Sequence, residues 1–124
     1  MCPRKFTVTL GKTKIANLSI NDTFILQQKN YIDVEFLENV KKLKIKIIRK
    51  EKEVSNNFEY EKCIFKEDYN TEFCVKKNIL VFIDTFFTFN LDCFYFLCSH
   101  IIMLKFDDQE IKIPLRIVQC SLYK

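Results

Sequence analysis

The 124-residue sequence predicts a mostly β protein, with one globular domain spanning residues 1–124. Two observations support this fold class. Residues 41–50 alternate between apolar and basic side chains with the period of two that is typical of a β-strand. Short β-branched and aromatic segments elsewhere are separated by turn signals. Their spacing favours an antiparallel β-sandwich or a partly open barrel of about seven to nine short strands.

The N-terminal segment predicts a β-hairpin. Residues 6–10 alternate, Gly11-Lys12 is a turn signal, and residues 15–20 resume an extended pattern. A second turn is expected at Asn21-Asp22, before the apolar residues 24–26.

Residues 30–44 allow two interpretations. Asn30 can cap a helix, and apolar residues then recur at spacings of three and four, at Ile32, Phe36, Val40, Leu43 and Ile47. Residues 31–36 also fit a strand in which Asp33 and Glu35 face outwards. We favour the strand, and a short helix near residues 33–40, which would give an α+β protein, is the alternative.

Within residues 41–50, one face of the predicted strand is apolar and the other is basic. The apolar face holds Leu43, Ile45 and Ile47, whereas the basic face holds Lys42, Lys44, Lys46 and Lys50. After a turn expected at Asn56-Asn57, residues 58–65 predict a partner strand. That pairing would place Glu59 and Glu61 near the lysines, where each cross-strand pair contributes only about 0.2–1 kcal/mol.

Residues 79–106 are nearly all apolar or aromatic, and their length raises the question of a transmembrane helix. Polar residues inside the segment argue against a helix in a membrane; they are Asp84, Asn90, Asp92 and His100. Two or three buried strands with a turn near residues 90–92 fit better. A final hairpin is expected around Asp107-Asp108.

The start of the sequence predicts an intracellular protein, and the composition indicates its origin. The sequence begins without the apolar segment of a signal peptide, so we expect a cytoplasmic location. The excess of Lys, Ile, Asn and Phe over Gly and Ala is typical of an AT-rich genome, such as that of a parasite, an endosymbiont or a virus. Because codon bias alone enriches lysine, the net charge of +4 is weak evidence for an anionic partner.

Six cysteines are most simply interpreted as free, buried thiols in a reducing compartment; they are Cys2, Cys63, Cys74, Cys93, Cys98 and Cys120. A disulfide framework is one alternative. A metal site using Cys93, Cys98 and His100 is a weaker one, because residues 94–97 are apolar and do not resemble a zinc knuckle. We therefore expect no metal and no cofactor.

The sequence predicts no catalytic site. His100 is the single histidine, and it lies between apolar segments. With one glycine, the chain has no Gly-rich phosphate loop, and no nucleophile elbow is present. An enzyme acting on a small-molecule substrate is therefore not expected.

The basic face offers the candidate binding residues Lys42, Lys44, Lys46 and Lys50. Alternate residues on a strand lie about 6.6–6.8 Å apart, which resembles the separation of successive phosphates along an extended single strand. This spacing suggests an RNA- or ribosome-associated factor. A lysine-rich strand on a sandwich is also similar to that of C2 domains, and the resemblance implies an anionic membrane as partner. Two simpler interpretations are a solvated outer face and an edge strand whose lysines prevent aggregation.

The favoured function is that of a non-catalytic binding module, an accessory subunit or adaptor in a larger intracellular assembly. Its partners would be proteins, with RNA or the ribosome as the alternative and a membrane less favoured. Such a module predicts an exposed aromatic patch or an unpaired strand edge that a partner covers.

Overall fold

The computed structural model describes residues 3–53, 58–83 and 96–118. These residues form nine β-strands and no helix. The strands are β1 Arg4–Leu10, β2 Thr13–Ile20, β3 Thr23–Ile25, β4 Lys29–Phe36, β5 Lys42–Glu53, β6 Phe58–Asn70, β7 Lys76–Phe82, β8 Phe96–Phe106 and β9 Gln109–Val118.

The nine strands form two sheets that pack as a β-sandwich, which confirms the predicted fold class. One sheet has four strands in the order β1-β2-β4-β7, and the other has five in the order β3-β9-β8-β5-β6. Neighbouring strands are antiparallel except for β3 and β9, which pair in parallel. Strands β5 and β8 are interior strands of the five-stranded sheet. As on any strand, their side chains alternate between the two faces of the sheet, here the core and the outer surface.

The core lies between the inner faces of the two sheets. Leu43, Ile45 and Ile47 of β5 are completely buried, as the alternation predicts. They pack in one cluster with Ile32 of β4 and Ile79 of β7 from the other sheet. Burying each such side chain stabilises the fold by about 1.5–3 kcal/mol, so the alternation in β5 is a principal determinant of the sandwich.

The strand interpretation of residues 31–36 is confirmed, and the alternative of a helix near residues 33–40 is wrong. Strand β4 ends at Phe36, and residues 37–41 form the connection to β5. Side chains four residues apart share a face in a strand as well as in a helix. The spacing of Ile32 and Phe36, both buried, is therefore compatible with either structure.

Both predicted hairpins are confirmed. In the β1–β2 turn, Gly11 has a φ of 62°, a left-handed conformation that glycine adopts without steric cost. In the β8–β9 turn, Asp107 has a φ of 53°. The turns expected at residues 56–57 and 90–92 lie outside the described residues.

Four connections meet at one end of the sandwich, which we call the loop end. They are residues 11–12, 37–41, 71–75 and 107–108. Backbone hydrogen bonds join them to each other and to adjacent strands, since the Leu37 N–H donates to Ile15 O (2.9 Å) and the Thr71 N–H donates to Lys41 O (3.0 Å). Within the described part of the chain, no helix has the length and apolar character needed to cross a membrane.

Candidate binding surfaces

The four candidate lysines lie together on the outer side of the five-stranded sheet. Lys42, Lys44 and Lys50 are exposed, and Lys46 is half-buried. Their neighbours across the sheet are set by the register of β6 and β8 on either side of β5. We call the outward-facing residues of the five-stranded sheet the cationic face.

Positive charge predominates on the cationic face. Among the described residues, nine outward-facing side chains are basic and four are acidic, an excess of five that is larger than the net charge of the whole chain, +4. The basic ones are Lys42, Lys44, Lys46, Lys50, Lys52, Lys66, Lys105, Lys112 and Arg116, and the acidic ones are Glu59, Glu61, Asp68 and Glu110.

Two pairs of lysines lie directly opposite each other. Lys46 faces Lys66 across β5 and β6, and Lys44 faces Lys105 across β5 and β8. Directly opposed like charges destabilise a sheet, typically by about 0.2–1 kcal/mol for each pair. Asp68 lies opposite Lys44 and Glu110 lies opposite Lys105, so the repulsion is offset in that pair and not in the pair of Lys46 and Lys66. Sequence analysis missed Lys66, Lys105 and Lys112, because their proximity to the lysines of β5 depends on the register of distant strands.

Acidic residues offset only part of this charge. Strand β6 does pair with β5, and Glu61 lies opposite Lys50, with 3.7 Å between the Glu61 Oε2 and Lys50 Nζ atoms. Glu59 lies opposite Lys52, two residues further along β5. An exposed ion pair of this kind contributes about 0–1 kcal/mol. The predicted neutralisation by Glu59 and Glu61 therefore acts at one end of the row and does not reach Lys46.

The position of β5 excludes edge protection as the role of its lysines. Strand β5 pairs with β6 on one side and with β8 on the other. Lysines that prevent aggregation are expected on strands whose hydrogen-bonding groups are free. That interpretation is therefore wrong for this strand.

The loop end carries a set of exposed apolar side chains. Leu10 is 58% exposed, Leu37 43%, Phe73 81% and Val75 68%. Phe73 and Val75 belong to the β6–β7 connection, whereas Leu37 follows β4 and Leu10 ends β1. Three separate parts of the chain thus bring large apolar side chains to the same end of the sandwich.

Phe73 has the least favourable backbone conformation in this set. Its φ is 63°, in the left-handed region that L-residues with bulky side chains rarely adopt. The Cys74 N–H donates to Thr71 O at 2.9 Å, which closes a turn with Phe73 at its third position. Type II turns need a positive φ there and normally use glycine or asparagine. The left-handed conformation costs a residue such as phenylalanine about 1–2 kcal/mol.

Hydrogen bonds fix the Phe73 turn against the β4–β5 connection. The Phe73 N–H donates to Asn39 Oδ1 at 2.9 Å. The Thr71 hydroxyl donates to Val40 O at 2.6 Å, and this hydroxyl is buried. The turn that presents Phe73 is therefore held to this connection through its first and third residues.

Asp107 fixes the β8–β9 turn to the end of the β4–β5 connection and the start of β5. Its carboxylate accepts the N–H groups of Lys41, at 3.1 and 3.2 Å, and of Lys42, at 3.0 Å. The Asp107 N–H in turn donates to Lys42 O at 3.0 Å. These bonds order the start of β5 next to the exposed apolar residues.

Charge at the loop end is mixed. The exposed basic side chains there are Lys12 and Lys41, and the exposed acidic ones are Glu38, Glu72, Asp107 and Asp108. The loop end thus has no excess of positive charge, in contrast to the cationic face.

His100 lies on the inner side of β8, opposite Arg49 of β5. Both are buried, and Arg49 Nη2 lies 3.3 Å from Glu51 Oε1. Burial, the largest cause, and the positive charge of Arg49 together lower the pKa of His100 to about 4, and the negative charge of Glu51 acts in the opposite direction. His100 is therefore neutral near pH 7.

The cysteines that the structure describes are free thiols. Cys63 is exposed and Cys74 is half-buried, so the expectation of buried cysteines is wrong for Cys63. The described residues contain no group of three or more potential metal ligands. In the candidate metal set, His100 is buried, Cys93 lies outside the described residues, and Cys98 lies in β8 without a described side chain.

Part of the outer side of the four-stranded sheet carries a polar hydrogen-bond ladder, and Tyr31, Leu80 and Phe82 are exposed on the rest of this side. The Thr7 hydroxyl donates to Asn17 Oδ1, and Asn17 Nδ2 donates to Glu35 Oε1, both at 3.1 Å. Asn78 Nδ2 donates to Asp33. These polar side chains satisfy each other, which is the behaviour of a solvated surface.

Comparison of the sequence with protein-family models and with curated proteins finds no match.

Proposed function

We propose that this protein is a non-catalytic binding module, an accessory subunit or adaptor of a larger intracellular assembly, that docks a protein partner through its loop end. The observation that carries the proposal is Phe73, an aromatic side chain that is 81% exposed in a left-handed backbone conformation. Folding gains little from this residue, because its side chain is hardly buried and its backbone is strained. A role in binding accounts for both properties.

The surroundings of Phe73 support a protein partner. Interface energy is concentrated in a few anchors, often aromatic, that enter pockets on the partner. Leu37 and Val75 extend the apolar surface around such an anchor, since the Phe36 N–H donates to Val75 O at 2.7 Å and places the two connections side by side. An anionic membrane fits less well, because the mixed charge at the loop end provides no net attraction to it.

The rigidity of the loop end favours affinity. Ordering a mobile loop during association costs free energy that a pre-formed surface avoids. The bonds from Phe73 to Asn39, from Thr71 to Val40 and from Lys41 to Asp107 already fix three connections. The apolar residues are thus presented in a defined arrangement before a partner arrives.

Two further observations support a non-catalytic, intracellular role. His100, the single histidine, is buried and neutral, so it is poorly placed to exchange protons with a substrate. Cys63 is an exposed free thiol, which is typical of a reducing compartment.

The test compares two glycine variants as bait in extracts of the source cells. Phe73→Gly removes the anchor, and glycine adopts the same backbone conformation without strain. Gln27→Gly is the matched control, because Gln27 also has a left-handed φ, 60°, but follows β3 outside the loop end. Quantitative mass spectrometry should find one protein recovered with the wild type and with Gln27→Gly but at least tenfold less with Phe73→Gly. Equal recovery of every protein by the three baits would refute the proposal.

A further inference from the structure

We propose that the cationic face is a second binding site and that its ligand is single-stranded nucleic acid, bound along strands β5 and β8. This site is separate from the loop-end apolar residues, and either surface can function without the other. The proposal is argued from the distribution of charge, the shape of the cationic strip and the apolar side chains within it.

The two central strands carry the cationic strip. Among their described outward-facing side chains, β5 and β8 present six lysines and no carboxylate: Lys42, Lys44, Lys46, Lys50, Lys52 and Lys105. The flanking strands β6 and β9 carry the four carboxylates of the face and three basic residues, Lys66, Lys112 and Arg116. Because the charges on the flanking strands nearly cancel, the excess positive charge is concentrated on a strip about two strands, or roughly 10 Å, wide.

The shape of this strip fits a linear polyanion. From Lys42 to Lys52 the lysines of β5 span about 33 Å, at about 3.3 Å per residue. Lysines two residues apart are separated by about 6.7 Å, and Ile48 leaves one gap of about 13 Å between Lys46 and Lys50. The strip has the length of about five nucleotides of an extended strand. A bilayer surface would also cover β6 and β9, whose four acidic and three basic outward-facing residues add no net attraction for anionic lipids.

Apolar side chains on the same strip can contact the bases. Three half-buried apolar residues face outwards here. Ile48 lies between Lys46 and Lys50 on β5, and its neighbours on β8 are Ile101, opposite Ile48, and Met103, opposite Lys46. Sequence-independent binding of single strands combines a positive groove with such contacts, usually from aromatic residues. With aliphatic residues in that place, most of the affinity comes from the phosphates and depends strongly on salt.

One unfavourable lysine pair also points to a ligand. Lys46 opposes Lys66, and neither of them lies directly opposite a carboxylate. This pair is unfavourable in the free protein and becomes favourable when a phosphate lies between the two ammonium groups. The Lys44–Lys105 pair adds no such argument, because Asp68 lies opposite Lys44 and Glu110 lies opposite Lys105.

The test variant is Lys46→Glu combined with Lys105→Gln. The first change replaces a like-charge pair with Lys66 by an opposite-charge pair. The second removes the repulsion with Lys44 together with the attraction to Glu110, two effects of similar size, so the fold is retained. The matched control is Lys5→Glu combined with Lys29→Gln. It changes the net charge equally but alters exposed residues of β1 and β4, in the other sheet.

Binding is measured by fluorescence anisotropy with a labelled ten-nucleotide oligouridylate from 50 to 200 mM salt. If five lysines contact phosphates, log affinity should fall with log salt with a slope of about −3.5 for the wild type and the control. The test variant should bind at least tenfold more weakly at 50 mM salt, and its slope should be smaller by about 1.4.

Three outcomes would overturn the proposal. The first is that the wild type does not bind the oligonucleotide at 50 mM salt. The second is that the control variant binds as weakly as the test variant. The third is that the wild type binds phosphatidylserine vesicles tightly but does not bind the oligonucleotide. Urea unfolding of each variant shows whether it is folded. If the test variant is unfolded, Lys46→Gln alone is compared with Lys5→Gln by the affinity at 50 mM salt and by the slope of log affinity against log salt.

Discussion

Replacement of Phe73 by glycine should stabilise the protein while it removes an apolar side chain. The left-handed φ of 63° costs a non-glycine residue about 1–2 kcal/mol, and glycine avoids that cost. Glycine also loses more conformational entropy on folding, about 0.5–1 kcal/mol. Because the Phe73 side chain is 81% exposed, its removal sacrifices little buried area. The free energy of unfolding should therefore rise by about 0.5 kcal/mol in Phe73→Gly.

Urea unfolding followed by circular dichroism measures this change, and Val75→Gly is the control. Val75 is 68% exposed two residues away and is not among the described residues with a positive φ. Its replacement by glycine should lower the free energy of unfolding by about 1 kcal/mol. The two glycine variants should thus move the urea midpoint in opposite directions. A loss of stability in Phe73→Gly as large as that in Val75→Gly would refute the strain argument.

Three further predictions concern the core. Ile45→Ala should lower the free energy of unfolding by about 2–5 kcal/mol, because Ile45 is completely buried in the core cluster. Urea unfolding measures this loss, and a loss below about 1 kcal/mol would contradict the burial of Ile45. Asn30→Asp should destabilise the fold by about 1–3 kcal/mol, because Asn30 Nδ2 donates to three carbonyl oxygens that a carboxylate would repel. A melting temperature of Asn30→Asp equal to that of the wild type would contradict this role of the amide. The pKa of His100 is about 4 in the folded protein and 6.5 for an ordinary histidine, so the unfolded protein binds a proton at this residue more readily. The resulting contribution of His100 to the free energy of unfolding, up to about 3 kcal/mol, is complete above pH 6.5 and is lost as the pH falls towards 4. Relative to His100→Gln, the wild type should lose stability between pH 7 and pH 4.5, and parallel profiles for the two proteins would contradict the low pKa.

Much of the fold could be predicted from local sequence. The alternation of Leu43, Ile45 and Ile47 with lysines defines one face of β5 as core, because a strand repeats every two residues. The hairpin turns at Gly11 and Asp107 could likewise be predicted, because short polar or glycine-containing segments interrupt the apolar strand patterns there. The parallel pairing of β3 with β9 could not be predicted, since it joins segments at opposite ends of the chain.

The candidate surfaces were only partly accessible to sequence analysis. The lysines at 42, 44, 46 and 50 share a face through local geometry, whereas Lys66 and Lys105 join them only through strand register. Phe73 carried no sequence signal, because a left-handed φ is set by the turn and its hydrogen bond to Asn39. A phenylalanine where such turns prefer glycine becomes informative only once the turn is known.

The most direct test of the loop end as a docking surface is site-specific photo-crosslinking in the source cells. A photoreactive phenylalanine analogue is placed at Phe73 or, as control, at Phe82. Phe82 is 45% exposed and ends β7 away from the loop end. We expect a discrete crosslink to one protein from position 73 and none to that protein from position 82. Crosslinks of equal yield from both positions, or from position 82 alone, would contradict the proposal.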